Sequence, residues 1–517
     1  MSIEKYIVKT ALKDRKMNKK KLDDIRRQAA FKFKSPIPDN MQLLQSYHRL
    51  LGENKIKKNY KLENLLKTRK VRSMSGIVAI TLITKPYPCP GNCLYCPDEK
   101  DMPKSYLANE PACMRAALTS FDPYLQTKTR IKSLQKTGHH TDKIEIIVLG
   151  GCWNAYPKRY QTYFIKRCLD ACNEKTSSSL EDAKKMNEGA KNKMVGLTLE
   201  TRPDLIDKKE IKRLRWLGCT RVELGVQSIY DDVLRKNRRG HGLKEIVKAT
   251  KLLKDAGLKV TYHIMPNLPG SSFKKDIEMF KALFSDSRFQ PDQLKIYPCV
   301  VLESSPLYKL WKRGKYTPYD TKKLTDLLVE IKKIIPSYVR IVRVIRDIPS
   351  GSIAGGNKVS NLRQVVQRKM RARGENCRCI RCREIKGLIP RDISLSRIDY
   401  TASDGKEIFL SFEDKKQDKL LAFLRLRISS SWTLPSLKEC GLIREVHTYG
   451  SVVPVSQKNK RGRQHKNLGK KLIKKAERLI EEEGYKKVAV ISGIGVRGYY
   501  RKLGYRLKDE YMIKKLG

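Results

Sequence analysis

Pro88-Cys89-Pro90-Gly91-Asn92-Cys93-Leu94-Tyr95-Cys96-Pro97 holds three cysteines spaced C-x3-C-x2-C. Pro90, Gly91 and Asn92 supply a tight turn and Pro97 stops the chain from continuing as a helix. Three thiolates can therefore wrap one metal cluster. A 4Fe–4S cluster takes cysteine thiolates, four as a rule; three leave one iron open to a substrate or cofactor. A structural zinc takes four protein ligands, and the next cysteine, Cys113, is well removed from the loop. Just upstream, Gly76-Ile77-Val78-Ala79-Ile80-Thr81-Leu82-Ile83 reads as a buried strand. The cysteines thus leave a strand end, the face on which α/β barrels carry chemistry.

Outward from this loop, strand and helix alternate over residues 72–350. Strand-like runs are Val78–Thr84, Ile144–Leu149, Val195–Thr201, Arg221–Val226, Lys259–Met265, Gln293–Tyr297 and Val339–Val344. Helical periods lie between them, as in Tyr160–Cys172, Lys208–Leu217, Leu243–Ala256 and Thr321–Ile335. Repeated βα units imply a parallel sheet. Six or so units predict a partial (βα)6 barrel rather than a closed one. Polar groups gather at the strand ends: Gly150-Gly151, where the backbone can approach a ligand, then Glu200-Thr201-Arg202-Pro203-Asp204, Glu223, Gln227-Ser228 and His263.

The length of 517 residues predicts about three domains. Lys and Arg number 110 against 54 acids, a net charge of +56. Balanced ion pairing cannot absorb that excess, so a polyanionic partner is expected, nucleic acid first. No run of 18 apolar residues and no signal peptide point to a membrane. Thirteen cysteines, an odd number, suit a reducing compartment, and the cytoplasm is the expected location. Residues 1–71 form a basic helical region, with Lys19-Lys20-Lys21, Arg26-Arg27, Lys57-Lys58, Arg69, Lys70 and, just beyond, Arg72; such a surface suits phosphates. Residues 351–395 form a basic linker in which Cys377, Cys379 and Cys382 make a candidate zinc knuckle. Its fourth ligand would come from elsewhere, such as Cys440 or a histidine.

Residues 396–517 change pattern again. Ile408–Phe412 and Leu420–Leu426 read as antiparallel strands, followed by a strand through Glu445-Val446-His447-Thr448. Gln464-His465-Lys466-Asn467-Leu468-Gly469-Lys470 then opens a long amphipathic helix to Glu483. Free N–H groups at such a helix start suit a pyrophosphate. The strand Val488–Ser492 and the segment Gly498-Tyr499-Tyr500-Arg501-Lys502-Leu503-Gly504-Tyr505 complete the chain's chemistry.

The cysteine loop, with an aromatic before its third cysteine, resembles the radical S-adenosylmethionine (SAM) enzymes. By that resemblance Cys89, Cys93 and Cys96 ligate a 4Fe–4S cluster whose open iron binds SAM. The pair Gly150-Gly151 resembles the family's contact to the SAM amino group, with Cys152 where a glutamate often stands. The last segment resembles the GNAT acyltransferases. There the strand Glu445–Thr448 would hold the pantetheine arm of acetyl-CoA, Leu468, Gly469 and Lys470 its pyrophosphate, and a tyrosine of the Tyr499-Tyr500 pair the thioester. Asn467 stands where that loop's first glycine is expected.

A radical-SAM domain ahead of a GNAT domain resembles the Elongator catalytic subunit family over nearly the whole chain. The likeness extends through Glu200-Thr201-Arg202-Pro203-Asp204, Gly225-Val226-Gln227-Ser228, His263-Ile264-Met265-Pro266, Leu294-Lys295-Ile296-Tyr297-Pro298 and Tyr449-Gly450-Ser451-Val452-Val453-Pro454. The resemblance implies carboxymethylation of a tRNA wobble uridine: SAM, cleaved by one electron from an unnamed donor, yields a radical that activates the methyl of acetyl-CoA. That carbon adds to C5 and hydrolysis releases CoA. It also implies acetyl-CoA contacts at Lys143, Glu445–Thr448, Leu468–Lys470 and Tyr500, and SAM contacts at Gly150, Gly151 and Glu200. The accessible anticodon loop, its target base turned out into a pocket, would be the partner. Two other functions compete: a lysine acetyltransferase acting on histone-like proteins with a structural cluster, and a non-catalytic RNA-binding scaffold.

Overall fold

The computed structural model describes residues 1–68, 75–450 and 467–517. Arg69, Lys70 and Arg72 of the basic surface, Ser451–Pro454, and Gln464, His465 and Lys466 of the turn lie outside the described residues, as does the expected boundary near residue 71.

Four helices open the chain: Ile3–Lys13, Lys19–Phe33, Asn40–Gly52 and Tyr60–Leu66. Ser2, Asn18, Asp39 and Asn59 cap them, each side chain accepting from a first-turn N–H. Their apolar stripes close a small core of their own around Ile7, Leu43, Leu44 and Tyr47.

Seven parallel strands follow: β1 (Val78–Ile83), β2 (Lys143–Leu149), β3 (Lys193–Thr201), β4 (Arg221–Gln227), β5 (Lys259–Ile264), β6 (Gln293–Ile296) and β7 (Arg340–Arg343). They pair in chain order, β1 to β7. The partial barrel expected from the repeated βα units is present, as an open sheet of seven parallel strands that match the seven strand-like runs. β7 is only four residues long and pairs along β6 at the sheet edge. The middle strands β3 to β6 are buried on nearly every residue, as parallel strands covered on both faces require. β1 and β2 alternate instead, because their second face lines a cavity to which Ala79, Thr81, Ile147 and Leu149 contribute.

The second sheet contains β8 (Ile393–Ala402), β9 (Gly405–Asp414), β10 (Lys419–Ile428), β11 (Cys440–Thr448), β12 (Lys487–Val490), β13 (Arg506–Lys508) and β14 (Tyr511–Lys515). Their order is β13-β14-β12-β11-β10-β9-β8. Only β11 and β12 run parallel. β8 opens slightly ahead of the expected start at residue 396. The helix Leu468–Glu482 buries Leu468, Leu472, Ile473, Ala476, Leu479 and Ile480. No helix among the described residues is long and apolar enough to cross a membrane.

The two sheets share one continuous core. The second packs against the starts of the barrel strands, opposite the cysteine loop. Arg444 of β11 reaches Asp292, just before β6, at 2.6 Å. Arg425 of β10 donates to the Tyr338 carbonyl, before β7, at 2.6 Å. Gly493 lies so close to β3 that an added Cβ would sit 2.1 Å from the Val195 carbonyl oxygen. Gly493→Ala is therefore expected to destabilise the chain by about 1–3 kcal/mol, the usual cost of overpacking. A lowered thermal midpoint would register it; an unchanged midpoint would mean that the contact yields freely.

Candidate active site at the barrel mouth and the second sheet

Cys89, Cys93 and Cys96 line a cavity of about 890 Å³. The loop is clamped from both sides: the Leu94 N–H donates to the Asn237 carbonyl at 3.1 Å, and the Leu307 N–H to the Leu94 carbonyl at 2.8 Å. Arg239, buried, donates from Nη1 to the Cys93 sulfur at 3.1 Å. Burial, then the neighbouring Cys93 sulfur, push the Cys96 thiol up to about 12. Thiolates on this loop therefore need a positive partner, which a cluster supplies.

Gly150 and Gly151 follow β2 directly, and Gly151 lines the same cavity. Gly150 has φ +138°, and an added Cβ would meet Thr84 Oγ1 at 1.8 Å, so only glycine fits. Cys152 is buried beside them, its sulfur 3.8 Å from Thr201 Oγ1. The carboxylates come from later strands. Glu200 accepts from the Tyr106 hydroxyl at 2.8 Å. Glu223 meets His263 Nε2 at 3.0 Å and is bonded by Lys295. Burial raises Glu200 above the ordinary carboxylate range, although Lys295 and His263 pull it down. Burial acts on Glu223 too, but Lys295 and His263 hold it well below that range. Lys295 is raised: burial disfavours its charge, and Glu223, Tyr297 and Glu200 more than offset that.

Gln227 takes φ +68° at the end of β4, a conformation that non-glycine residues adopt at a cost. Its Oε1, Glu223 Oε1 and Arg202 Nη1 are all buried without a hydrogen-bond partner among the described residues. Buried polar atoms are normally paired, so these three mark places for a polar ligand. The donor set fits an iron–sulfur cluster and SAM.

The second site lies where β11 and β12 part. They pair from Cys440↔Lys487 to Ile443↔Val490. Beyond Ile443 the strand continues through Glu445, Val446, His447 and Thr448, paired among the described residues with β10 alone. Among the described residues one backbone edge there carries no strand partner, which suits an extended ligand. Alternation divides the side chains. Glu445 and His447 face the barrel, Glu445 accepting from Arg425 at 3.0 Å and His447 Nε2 lying 2.9 Å from the Ser75 carbonyl oxygen.

Val446 and Thr448 face the helix. An added Cβ on Gly469 would sit 3.6 Å from the Thr448 methyl, 3.7 Å from the Tyr499 hydroxyl and 3.9 Å from Val446 Cγ1. Asn467, at φ +82°, adopts the left-handed conformation without glycine, which asparagine tolerates. The first turn, Leu468, Gly469 and Lys470, has no side-chain cap. Tyr500 is 7% exposed and packs on Tyr505, whereas Tyr499 is 38% exposed. The tyrosine nearest the gap is therefore Tyr499. Lys143 is the first residue of β2, half-buried at the barrel end that faces the second sheet.

The cavity joins these places. Besides the cysteines it is lined by Ser75, Arg340 and Glu384. Ser75 meets His447, and Arg340 donates to the Tyr449 hydroxyl at 3.0 Å. Sequence reasoning missed Arg239, Tyr106 and Lys295 as site residues. For Lys295 a signal existed, a lone charge inside the apolar run Leu294-Lys295-Ile296; for Arg239, in an arginine-rich stretch, none did.

Cys377, Cys379 and Cys382 form a separate cluster, their sulfurs all within 4.8 Å of one another. Cys440 is not part of it; its thiol faces the Lys438 carbonyl at 3.6 Å.

Family models for the Radical SAM superfamily and the Radical_SAM C-terminal domain match residues 86–283 and 291–372. A tRNA uridine(34) acetyltransferase of Methanocaldococcus infernus is 46% identical over 99% of this chain and 98% of its own length. Human Elongator complex protein 3 is 42% identical over 87% of this chain and 86% of its own. The solved structure of the archaeal M. infernus Elp3 with residues 1–46 deleted superimposes with a TM-score of 0.76 at 45% identity, covering 86% of this chain and all of that one. With likeness of this extent at both sites, the chain belongs to the radical-SAM family of tRNA uridine(34) acetyltransferases and Elongator complex protein 3.

Proposed function

We propose that this chain modifies the wobble uridine of tRNA, transferring a carboxymethyl group derived from acetyl-CoA to C5 to give 5-carboxymethyluridine. One observation carries the coupling of its two halves: a single cavity is lined by the cysteine loop and by residues touching the end of β11. C5 of a pyrimidine is no amine nucleophile, so acyl transfer alone cannot modify it.

Cys89, Cys93 and Cys96 would hold the cluster, which, with SAM, supplies a carbon-centred radical. Glu200, with Gly150 and Gly151, would receive the SAM amino group. The free edge of Glu445–Thr448 would take the pantetheine arm, and the first-turn N–H groups of Leu468, Gly469 and Lys470 the pyrophosphate. Tyr499 would orient the thioester, with Tyr500 fixing the ring pair from the core. Lys143 would reach the same ligand from the barrel side. Residues 1–71 would follow the tRNA backbone, residues 72–350 and 396–517 would carry the two chemistries, and the enzyme would work in the cytoplasm. The test is anaerobic: reconstituted, reduced protein with SAM, acetyl-CoA and unmodified tRNA, its nucleosides read by mass spectrometry. A carboxymethyl mass on uridine that requires both cofactors supports the reading; its absence with a loaded cluster and bound tRNA overturns it.

Within residues 351–395, Cys377, Cys379 and Cys382 would bind zinc. Lys332 Nζ and Gln367 Nε2, each 3.8 Å from the Cys382 sulfur, favour a thiolate there. About one zinc per chain is expected by metal analysis, lost in Cys382→Ser; equal zinc in both proteins would place it elsewhere.

A further inference from the structure

Lys85-Pro86-Tyr87-Pro88 joins β1 to the first cluster cysteine, and all four residues are exposed. The prolines fix their own φ and hold Lys85 and Tyr87 extended. The strut is also tied down. The Lys85 N–H donates to the Tyr160 hydroxyl at 3.1 Å, and the Lys85 carbonyl accepts from the Tyr156 hydroxyl at 2.7 Å.

Behind it stands a row of rings. Tyr87 and Tyr156 have centroids 4.9 Å apart, Tyr156 and Tyr160 5.2 Å, and Tyr160 and Tyr163 6.5 Å. Tyr156 is buried, while Tyr87 is 36% exposed. The Lys85 ammonium lies 5.0 Å from the centre of the Tyr160 ring. A large ring is thus braced from behind, stiffened by proline on both sides, and left open to solvent. It takes no part in lining the cavity.

We propose that Tyr87 is a stacking platform for a base of the RNA substrate, the neighbour of the one being modified. This rests on the tRNA reading above. Single-stranded RNA is bound through unstacked bases laid on aromatic side chains, and a rigid ring loses little freedom in taking one. Only Pro88 separates Tyr87 from Cys89, so their Cα atoms are at most about 7 Å apart. A base on Tyr87 therefore lies within a nucleotide or two of one entering the cavity. Lys85, exposed two positions before Tyr87, adds a positive charge to the same strut.

The test uses the full chain and an anticodon stem–loop RNA carrying 2-aminopurine beside the wobble uridine. Tyr87→Ala is expected to weaken binding about 5- to 150-fold, the range that loss of one stacked base produces. It should also abolish the fluorescence quench that wild-type protein causes. Tyr87→Phe and Tyr87→Trp should restore both, because only the flat ring is needed. Tyr87→Leu, which keeps bulk without a ring face, should behave as alanine does and covers the case in which alanine disturbs folding. The salt dependence of binding should not change, since no phosphate contact is removed. Equal affinity and quench for Tyr87→Ala and wild type would overturn the proposal while the tRNA reading stands. Failure of the wild type itself to bind the stem–loop or modify tRNA would remove the tRNA reading and this inference with it.

Discussion

Replacing Cys93 with alanine is expected to reduce carboxymethyl transfer to background while leaving acetyl-CoA binding intact. Cys93 is the most enclosed of the three loop cysteines, buried where Cys89 and Cys96 are half-buried, and its sulfur already accepts from Arg239. With two thiolates in place of three the loop cannot retain an iron–sulfur cluster of the ordinary kind. The alanine also leaves the buried Arg239 guanidinium facing a void. Iron content should fall with activity, and SAM should no longer be cleaved. The acetyl-CoA site proposed above would lie on β11 and the helix Leu468–Glu482, elements that do not include the cysteine loop, so the substitution leaves them untouched. This split separates the readings. A lysine acetyltransferase with a structural cluster would retain acetyl transfer to its protein substrate in Cys93→Ala, and that result, with tRNA unmodified by the wild type, would reverse the functional assignment.

Much of this architecture is written in local pattern. The seven strand-like runs correspond to β1–β7 within a residue or two at each end, because fully buried parallel strands leave continuous apolar stretches. The edge strand β8 was not anticipated, although Ile393-Ser394-Leu395-Ser396-Arg397-Ile398 alternates apolar and polar residues. The turn closing its hairpin, Ser403-Asp404 before Gly405, takes positive φ at both residues, and Asp-Gly was the available signal.

The departures at Asn467 and Cys152 are of different kinds. Asn467 itself adopts the left-handed conformation open to glycine, so the change of residue leaves that backbone conformation accessible at the helix start. Cys152 gives up a carboxylate, and both it and Glu200 line the cavity. The interface between the sheets was not legible. Leu424-Arg425-Leu426-Arg427-Ile428 reads as a strand with one wet face. Alternation reveals two unlike faces but not which is in water, and here the arginines are buried against acids from distant parts of the chain.

Those acids give the second large effect: Asp292→Ala is expected to cost about 3–5 kcal/mol and to uncouple the two halves. Asp292 meets Arg444 at 2.6 Å, Arg425 at 3.7 Å and Lys254 at 3.7 Å, all fully buried. Glu407 accepts from Arg444 at 2.8 Å and Arg427 at 3.1 Å, and Asp255 from Arg427. Such a set adds little net stability over an apolar interface, but removing one member leaves charge buried and uncompensated. Three cations would then depend on Glu407 and Glu445. Lys254, which burial has already pushed down to about 8, would give up its proton more readily still.

The pH dependence follows from the carboxylates. Burial works against the charge of Asp292 and Glu407, but Arg444 and Lys254 hold both below their ordinary values. Their contribution is therefore complete above the unfolded carboxylate range near pH 4, begins to fall below it and is lost as pH drops through their depressed folded-state values. Denaturant unfolding should show wild-type stability declining below about pH 4, with a shallower decline in Asp292→Ala; parallel declines would place the acid-sensitive groups elsewhere. The same network sets where the end of β11 sits against the cavity, through His447 on Ser75 and Tyr449 on Arg340. Asp292→Ala at a temperature where it remains folded should then cleave SAM at the normal rate yet modify uridine poorly, because the cysteine loop stands at the far end of the barrel from the lost charge, whereas the meeting of the two substrates depends on the interface that the charge holds.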